Sequence, residues 1–412
     1  MTKWPDVQAG FALGNSTRPQ LVRSPIASTK YQSKLRPMKR FTSRVRQYLA
    51  AVGIAFVATV STAAWGDTPP EILEQTHARV KAVVVVQAAV TPELMKLPDV
   101  LGTAVGLSEA GQPVLVVFVD RDGASPADVV RALPPTLRGI AVRAELSDTF
   151  RAFAGKPGGG TGGVSHSVGQ TPPIQLGTSG GWRYDSANGF CCGGTLGSLI
   201  QVNGIQYILS NYHVLEADIV GGGNNFIAST GNPIIQPGLI DASCNADNAQ
   251  IVGTLVKISS LPNSNVDASI AQVSEGMVNP GGAVLEIGPL SSQTMAAYLN
   301  QAVKKSGRTT GLTRSKVTGL NATIRVTYES ECAGNVAFTK TFTGQIVISN
   351  GGRKFLNSGD SGSALVEDVS ATPRAVGLLY AGNSTSAIAN SINEVLQYIG
   401  GMLGGPATMV GN

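Results

Sequence analysis

Three observations predict a turn-rich, mainly β protein with a small α+β unit in front of it. Glycine supplies 50 of the 412 residues, while charged side chains supply only 14%, against roughly 25% in an average soluble protein. Hydrophobic residues reach 42%, too many for a disordered chain and too interspersed with glycine for a membrane bundle. From Leu176 onward, short apolar runs are separated by Gly, Asn and Pro, with no long helical pattern until Ser391. About 225 residues of such short strands read as a sandwich or barrel, and the length suffices for two small barrels.

Residues 1–66 read as a leader. Met38-Lys39-Arg40 opens a basic stretch, and Tyr48 to Val60 is an apolar run of signal-peptide length, shorter than the roughly 20 residues of a spanning helix. Ser61-Thr62-Ala63 and Ala64-Trp65-Gly66 each offer a small-x-small cleavage site, and Met38 reads as the true start. Residues 70–153 read as a small α+β domain. It has a helix over 71–90, strands VLGTAVGLS and PVLVVFVDR joined by a turn, a helix over Ala124–Leu133 capped by Ser125-Pro126, and a third strand IAVRAELSD. It carries no pattern of catalytic residues, and His77 reads as a solvated helix residue. Residues 154–175 form a Gly/Pro-rich linker in which His166 reads as idle. The β body spans residues 176–405.

The net charge is +5 and the pI about 9.0. Ten of the Lys and Arg residues, but only one acid, lie in residues 1–46, leaving 21 basic and 25 acidic residues from Asp67 on. The basicity belongs to the leader, which removes the electrostatic case for a nucleic-acid partner. The leader predicts export, secreted or periplasmic, without stable membrane insertion after signal removal. Export permits disulfides. Cys191, Cys192, Cys244 and Cys332 lack zinc-site spacing, so no metal and no cofactor is expected. The vicinal pair Cys191-Cys192 is ill suited to bonding to itself. Cys244 and Cys332, each the only cysteine in a polar turn-rich stretch, are the expected disulfide.

One constellation carries chemistry. His213 is the only histidine of the β body, delivered to a strand end by IQYILS. Asp267 follows in the apolar NVDASIAQV, and Ser361 lies between Gly359 and Gly362 in NSGDSGSALV. A hydroxyl nucleophile needs a base to take its proton and a third group to orient that base. It also needs backbone N–H groups aimed at the oxyanion, which flanking glycines allow the chain to present. The order His, Asp, Ser, with spacings of 54 and 94 residues, is neither the α/β-hydrolase nor the subtilisin order. It is the chymotrypsin order.

The segments CCGGTLGSLI…YILSNYHV, VKKSGRTTGLTRSKVTGLNATIRVTY, GDSGSALV and AVGLLYAGNS, ahead of the helix SINEVLQYIG, resemble chymotrypsin-like (trypsin-like) serine proteases, closest to the bacterial streptogrisin and α-lytic protease branch. The resemblance covers residues 180–402. It implies an all-β double β-barrel catalytic domain with a C-terminal helix. His213 would be the general base, Asp267 its orienter and Ser361 the nucleophile, with the N–H groups of Gly359 and Ser361 as oxyanion hole. Tyr380-Ala381-Gly382 would pair with the substrate backbone. Phe355, six residues before Ser361, would lie at the floor of the specificity pocket, tilting preference toward small or apolar residues. The branch neutralises the acid before the nucleophile with an arginine; the matching residue here is Lys305, giving an expected Lys305–Asp360 ion pair with Arg308 as fallback. Departures are Ser363 in place of the last glycine of GDSGG, Val214 in place of a cysteine after the histidine, and Lys304 and Arg314 in place of a disulfide.

The expected function is that of an exported serine endopeptidase acting on polypeptides through an acyl-enzyme, with an intramolecular contact to a pro-region-like N-terminal domain. The alternatives are a catalytically degenerate binding protein on the same scaffold and a restricted esterase-like hydrolase using the same triad.

Overall fold

The helix expected over 71–90 forms over Ala78–Leu94. His77 caps it, its Nδ1 accepting the Arg79 N–H at 3.2 Å, so this histidine starts the helix rather than lying solvated along it. Val80, Val83, Val86, Val90 and Leu94 recur at helical spacing and are buried. They join Val105, Leu115 and Val117 of the antiparallel strands Val100–Leu107 and Pro113–Asp120 in one core. After the short helix Pro126–Ala132, the strand Ile140–Ser147 pairs parallel with the second of these.

The structure is a computed structural model that describes residues 71–152, 165–187, 190–216, 227–328, 338–351 and 354–412. The expected leader, signal peptide and Met38 start, as well as Cys332, lie outside the described residues. No helix among the described residues is long and apolar enough to cross a membrane.

The β body is built on two sheets. The first runs in the order Ala407–Met409, Ser198–Val202, Ile205–Ser210, Ser269–Val273, Gln250–Val256, Pro233–Gln236, Thr178–Trp182, Gly194–Leu196. Its core of Leu199, Ile208, Val252, Leu255 and Ile270 also takes in Ile392, Val395 and Ile399 of the C-terminal helix Ile392–Leu403. In the second, Ala302–Gly307, Ala364–Glu367, Ala375–Gly382, Ser386–Ser391, Phe338–Ser349 and Gly311–Tyr328 follow one another. The last pairs back on the first and closes a barrel. The fold is the all-β, two-sheet architecture with a C-terminal helix that the sequence predicts.

The N-terminal strands continue the second sheet. Gly311–Tyr328 is 18 residues long and runs past the barrel, where Val100–Leu107 pairs antiparallel with it, Gly102 opposite Ile324. One eleven-stranded sheet and one core therefore span both parts. The strand Phe150–Ala152 leaves this order. It lies between two strands of the barrel, parallel to Val326–Tyr328 and antiparallel to Ala381–Gly382.

Three expectations need correction here. The chain is already packed before residue 175, with Ile174 fully buried and Gln170 hydrogen-bonded to Gln236, so the linker is shorter than 154–175. His166 is not idle: it is buried, with Nδ1 2.7 Å from the Gly177 carbonyl oxygen and Nε2 2.7 Å from Glu286 Oε2. Cys244 pairs with Cys191, not with Cys332. The turns following Leu239 bring Cys244, whose N–H donates to the Leu239 carbonyl oxygen, within 5.5 Å (Cα–Cα) of Cys191, which packs with Ile235 and Leu239. Cys192 is itself disulfide-bonded.

Candidate active site

His213 sits in a single helical turn, Tyr212–Leu215, at the end of the strand Ile205–Ser210. Pairing of that strand with Ser269–Val273 sets Ser210 opposite Ser269, which carries Asp267 up beside the histidine. Asp267 Oδ2 lies 2.7 Å from His213 Nδ1, with the carboxylate fully buried. Because an ionised carboxylate only accepts, the imidazole proton is on Nδ1 and Nε2 is left as an acceptor.

A dense set of donors fixes the carboxylate. Oδ1 accepts the Tyr212 N–H at 2.8 Å, and Oδ2 accepts the Tyr328 hydroxyl at 2.8 Å as well as His213. The Asp267 N–H donates to Asn390 Oδ1, and the Asp267 carbonyl oxygen accepts the Asn211 amide. Of these, Tyr328, Asn390 and Asn211 were not singled out from the sequence.

Ser361 is presented by a turn with two residues in the left-handed region, Gly359 at φ 91° and Gly362 at φ 93°. Only glycine adopts both without strain, and at Gly362 a side chain would also meet the Thr195 carbonyl and the Ser210 hydroxyl. Thr195 holds the turn, its N–H donating to the Ser361 carbonyl oxygen and its hydroxyl to that of Gly359. Gly194 packs between the Ser361 carbonyl and Val214, so the serine turn abuts the residue after His213. Ser361 Oγ donates to the Tyr380 carbonyl oxygen at 3.3 Å, and buried His213 Nε2 makes no hydrogen bond among the described residues. No hydrogen bond joins Ser361 Oγ to His213 Nε2 in this arrangement. Tyr380, Ala381 and Gly382 run beside the serine as part of a buried strand. Ala381 and Gly382 face Ala152 and Arg151 across the sheet.

Asp360 is fully buried and turned inward. Its Oδ1 accepts the N–H groups of Thr309 and Thr310 at 2.9 and 3.0 Å. Its Oδ2 accepts the Asn357 N–H and the Thr310 hydroxyl at 2.9 and 2.7 Å. Lys305 Nζ, also fully buried, lies 3.5 Å from Oδ2 and donates to the Gly311 carbonyl oxygen and the Thr310 hydroxyl. Burial pushes the Lys305 ammonium below its ordinary range, and the charges of Asp360 and Glu286 oppose that shift. Arg308 is committed elsewhere: it makes a bidentate pair with Asp241 at 2.7 and 2.6 Å, so it is no substitute partner for Asp360.

Phe355 departs from its expected place. Its side chain is buried in the interior cluster with Val303, Val317, Leu365 and Leu379, and Asn350 clamps the next residue through the Leu356 N–H and carbonyl oxygen. It is core of the barrel formed by the second sheet rather than the lining of an open pocket. No group of side chains suited to holding a metal ion occurs among the described residues.

No family model matches the chain, and no curated protein matches it. The chain is similar to solved bacterial chymotrypsin-like serine proteases. One is a glutamic acid-specific serine protease described as using a histidine triad in substrate binding, with 19% identity, 57% of this chain and 100% of that one covered, and TM-score 0.38. A second is Cellulomonas bogoriensis chymotrypsin, with 21% identity, 58% and 99% covered, and TM-score 0.35. A third is Thermobifida fusca protease A, with 17% identity, 53% and 91% covered, and TM-score 0.34.

Proposed function

We propose that the chain is an exported serine endopeptidase that hydrolyses peptide bonds through an acyl-enzyme on Ser361. The observation that carries this reading is the buried Asp267 carboxylate 2.7 Å from His213 Nδ1, which leaves Nε2 free to accept, beside a serine on a two-glycine turn. His213 takes the Ser361 proton as the hydroxyl attacks the carbonyl carbon, and returns it to the leaving amine. Asp267 holds the imidazole in the accepting tautomer. The N–H groups of Gly359 and Ser361 receive the oxyanion. The substrate backbone pairs with Tyr380–Gly382, the edge now partly occupied by Arg151 and Ala152. Residues 70–153 thereby act as a pro-region that keeps this edge filled, and the Ser361–Tyr380 hydrogen bond belongs to that closed form. Lys305 supplies the charge for Asp360 from folding onward.

The test is reaction of the exported protein with a fluorophosphonate probe and with a peptide library. Labelling of Ser361 and endoproteolysis are expected, and both disappear in Ser361→Ala with the fold intact. Substantial peptidase activity in that variant overturns the triad. Labelling without cleavage of any peptide replaces the endopeptidase by an esterase-like hydrolase.

A further inference from the structure

We propose that Tyr328 is a positioning residue of this triad, holding Asp267 from the strand that forms the far wall of the substrate slot. The inference rests on the serine peptidase reading above and adds a residue that its three-part machinery does not contain.

The hydroxyl of Tyr328 donates to Asp267 Oδ2 at 2.8 Å, the same oxygen that lies 2.7 Å from His213 Nδ1. Two donors on one oxygen, with the Tyr212 N–H on the other, pin the carboxylate plane and so the direction of the imidazole. The ring is fixed in turn. It is buried, stacked on Phe338 at 4.6 Å between centroids, and edge-on to His213 at 5.9 Å. Burial and the Asp267 charge push the phenol well above its ordinary range, so it stays a donor wherever the enzyme works. Tyr380 also lies near the carboxylate; its buried hydroxyl makes no hydrogen bond among the described residues and is likewise pushed up by burial and by Asp267. Tyr328 is therefore the tyrosine whose hydroxyl bonds the Asp267 carboxylate, whereas Tyr380, on the strand beside Ser361, meets Ser361 through its backbone carbonyl.

The backbone of the same residue borders the slot. Ala152 faces Ala381 on one side and Tyr328 on the other. An extended chain taking the place of Phe150–Ala152 is flanked by both edges, and the wall opposite Tyr380–Gly382 is the segment Val326–Tyr328. Filling of the slot and orientation of Asp267 thus meet in one residue.

The experiment compares the exported wild-type protein with Tyr328→Phe and Phe338→Leu, measuring kcat and KM on one peptide substrate across pH. A hydrogen bond to a charged group that acts on the transition state is worth roughly tenfold to a hundredfold in rate. Tyr328→Phe is expected to lower kcat by that factor with KM changed less than about twofold. The acid limb of kcat/KM should move to higher pH, because a carboxylate short of one donor holds the imidazolium proton more tightly. Phe338→Leu, which unstacks the ring but keeps the hydroxyl, should lower the melting temperature and leave the acid limb in place. An unmoved acid limb in Tyr328→Phe, or an equal movement in Phe338→Leu, overturns the positioning role. If Tyr328→Phe fails to fold, an acid limb that moves in Phe338→Leu overturns the role by itself. A wild-type protein without Ser361-dependent turnover overturns instead the peptidase reading on which the role depends.

Discussion

Ala152 faces Ala381 in antiparallel register, so the last described strand of the N-terminal unit lies on the edge beside Ser361. Two consecutive pairs, Ala152 with Ala381 and Arg151 with Gly382, make this a ladder rather than a single bridge. Main-chain pairing of this kind is how extended peptides bind to sheet edges. The same strand faces Val326–Tyr328, so it is held from both sides.

Loosening that strand should open the site. Ala152→Pro removes one N–H and restricts the backbone at a position paired on both sides. Fluorophosphonate labelling of Ser361 in the uncleaved chain is expected to become several times faster in this variant. Equal labelling rates in variant and wild type would show that the strand does not restrain the serine.

The Lys305–Asp360 contact predicts an asymmetric response. Four hydrogen bonds hold the Asp360 carboxylate, and Lys305, fully buried and 3.5 Å away, is its ion-pair partner among the described residues. Removing one side of a buried pair typically costs about 3–5 kcal/mol. Lys305→Met should therefore lower the unfolding midpoint steeply and abolish activity through the Gly359–Gly362 turn. Lys305→Arg should fare better, since it keeps the charge. Near wild-type turnover and melting temperature in Lys305→Met would place the neutralisation of Asp360 in its N–H donors alone.

Much of this site is legible in the sequence because its signals are local. Gly359 and Gly362 around Ser361, and the apolar run ahead of His213, announce geometry within a few residues of themselves. Tyr328 gives no such signal. Its hydroxyl reaches Asp267 61 residues away only because Gly311–Tyr328 overruns the barrel by several residues. His166 is hidden for a different reason: it follows a glycine-rich stretch, and its partners Gly177 and Glu286 come from turns whose approach no periodicity encodes. The N-terminal strands are individually readable as strands. Their fusion with the barrel of the second sheet depends on edge pairing, which an apolar run such as Val114–Val119 does not reveal. The disulfide fails similarly, since proximity of Cys191 and Cys244 is set by the path after Leu239 and not by polarity.

That disulfide closes 53 residues of chain. In the loop-entropy picture such a link is worth about 4 kcal/mol, through restriction of the unfolded chain. The double variant Cys191→Ser with Cys244→Ser is expected to lose stability of that order while retaining the Ser361 turn, which is tied down separately by Thr195. Guanidinium unfolding of the two proteins measures it, and an unchanged midpoint would show that the link contributes nothing to equilibrium stability.

Asp185 sets a pH dependence of opposite sign to that of a paired carboxylate. It is buried, and neither of its carboxyl oxygens has a hydrogen-bond partner among the described residues. Burial pushes it from 3.8 up to about 8. The unfolded chain gives up this proton near the ordinary value, whereas the folded chain keeps it until about pH 8. Between those limits the native state binds the additional proton, so stability falls as pH rises, by up to roughly 1.4 kcal/mol per unit. The stability is fully present below the unfolded value and is lost on rising through the folded one. Glu216, pushed up to about 7 by burial against hydrogen bonds from the Ser269 hydroxyl and the Ile258 and Ser259 N–H groups, acts in the same sense over a narrower range. Asp185→Asn keeps the shape and the neutral form at every pH. Urea midpoints taken from acid to mildly alkaline pH should therefore coincide with wild type below the unfolded value of 3.8, exceed it increasingly as pH rises toward about 8, and keep that margin above it. A gain of the same size at both ends would mean that the asparagine improves packing, and that Asp185 carries no charge-linked cost.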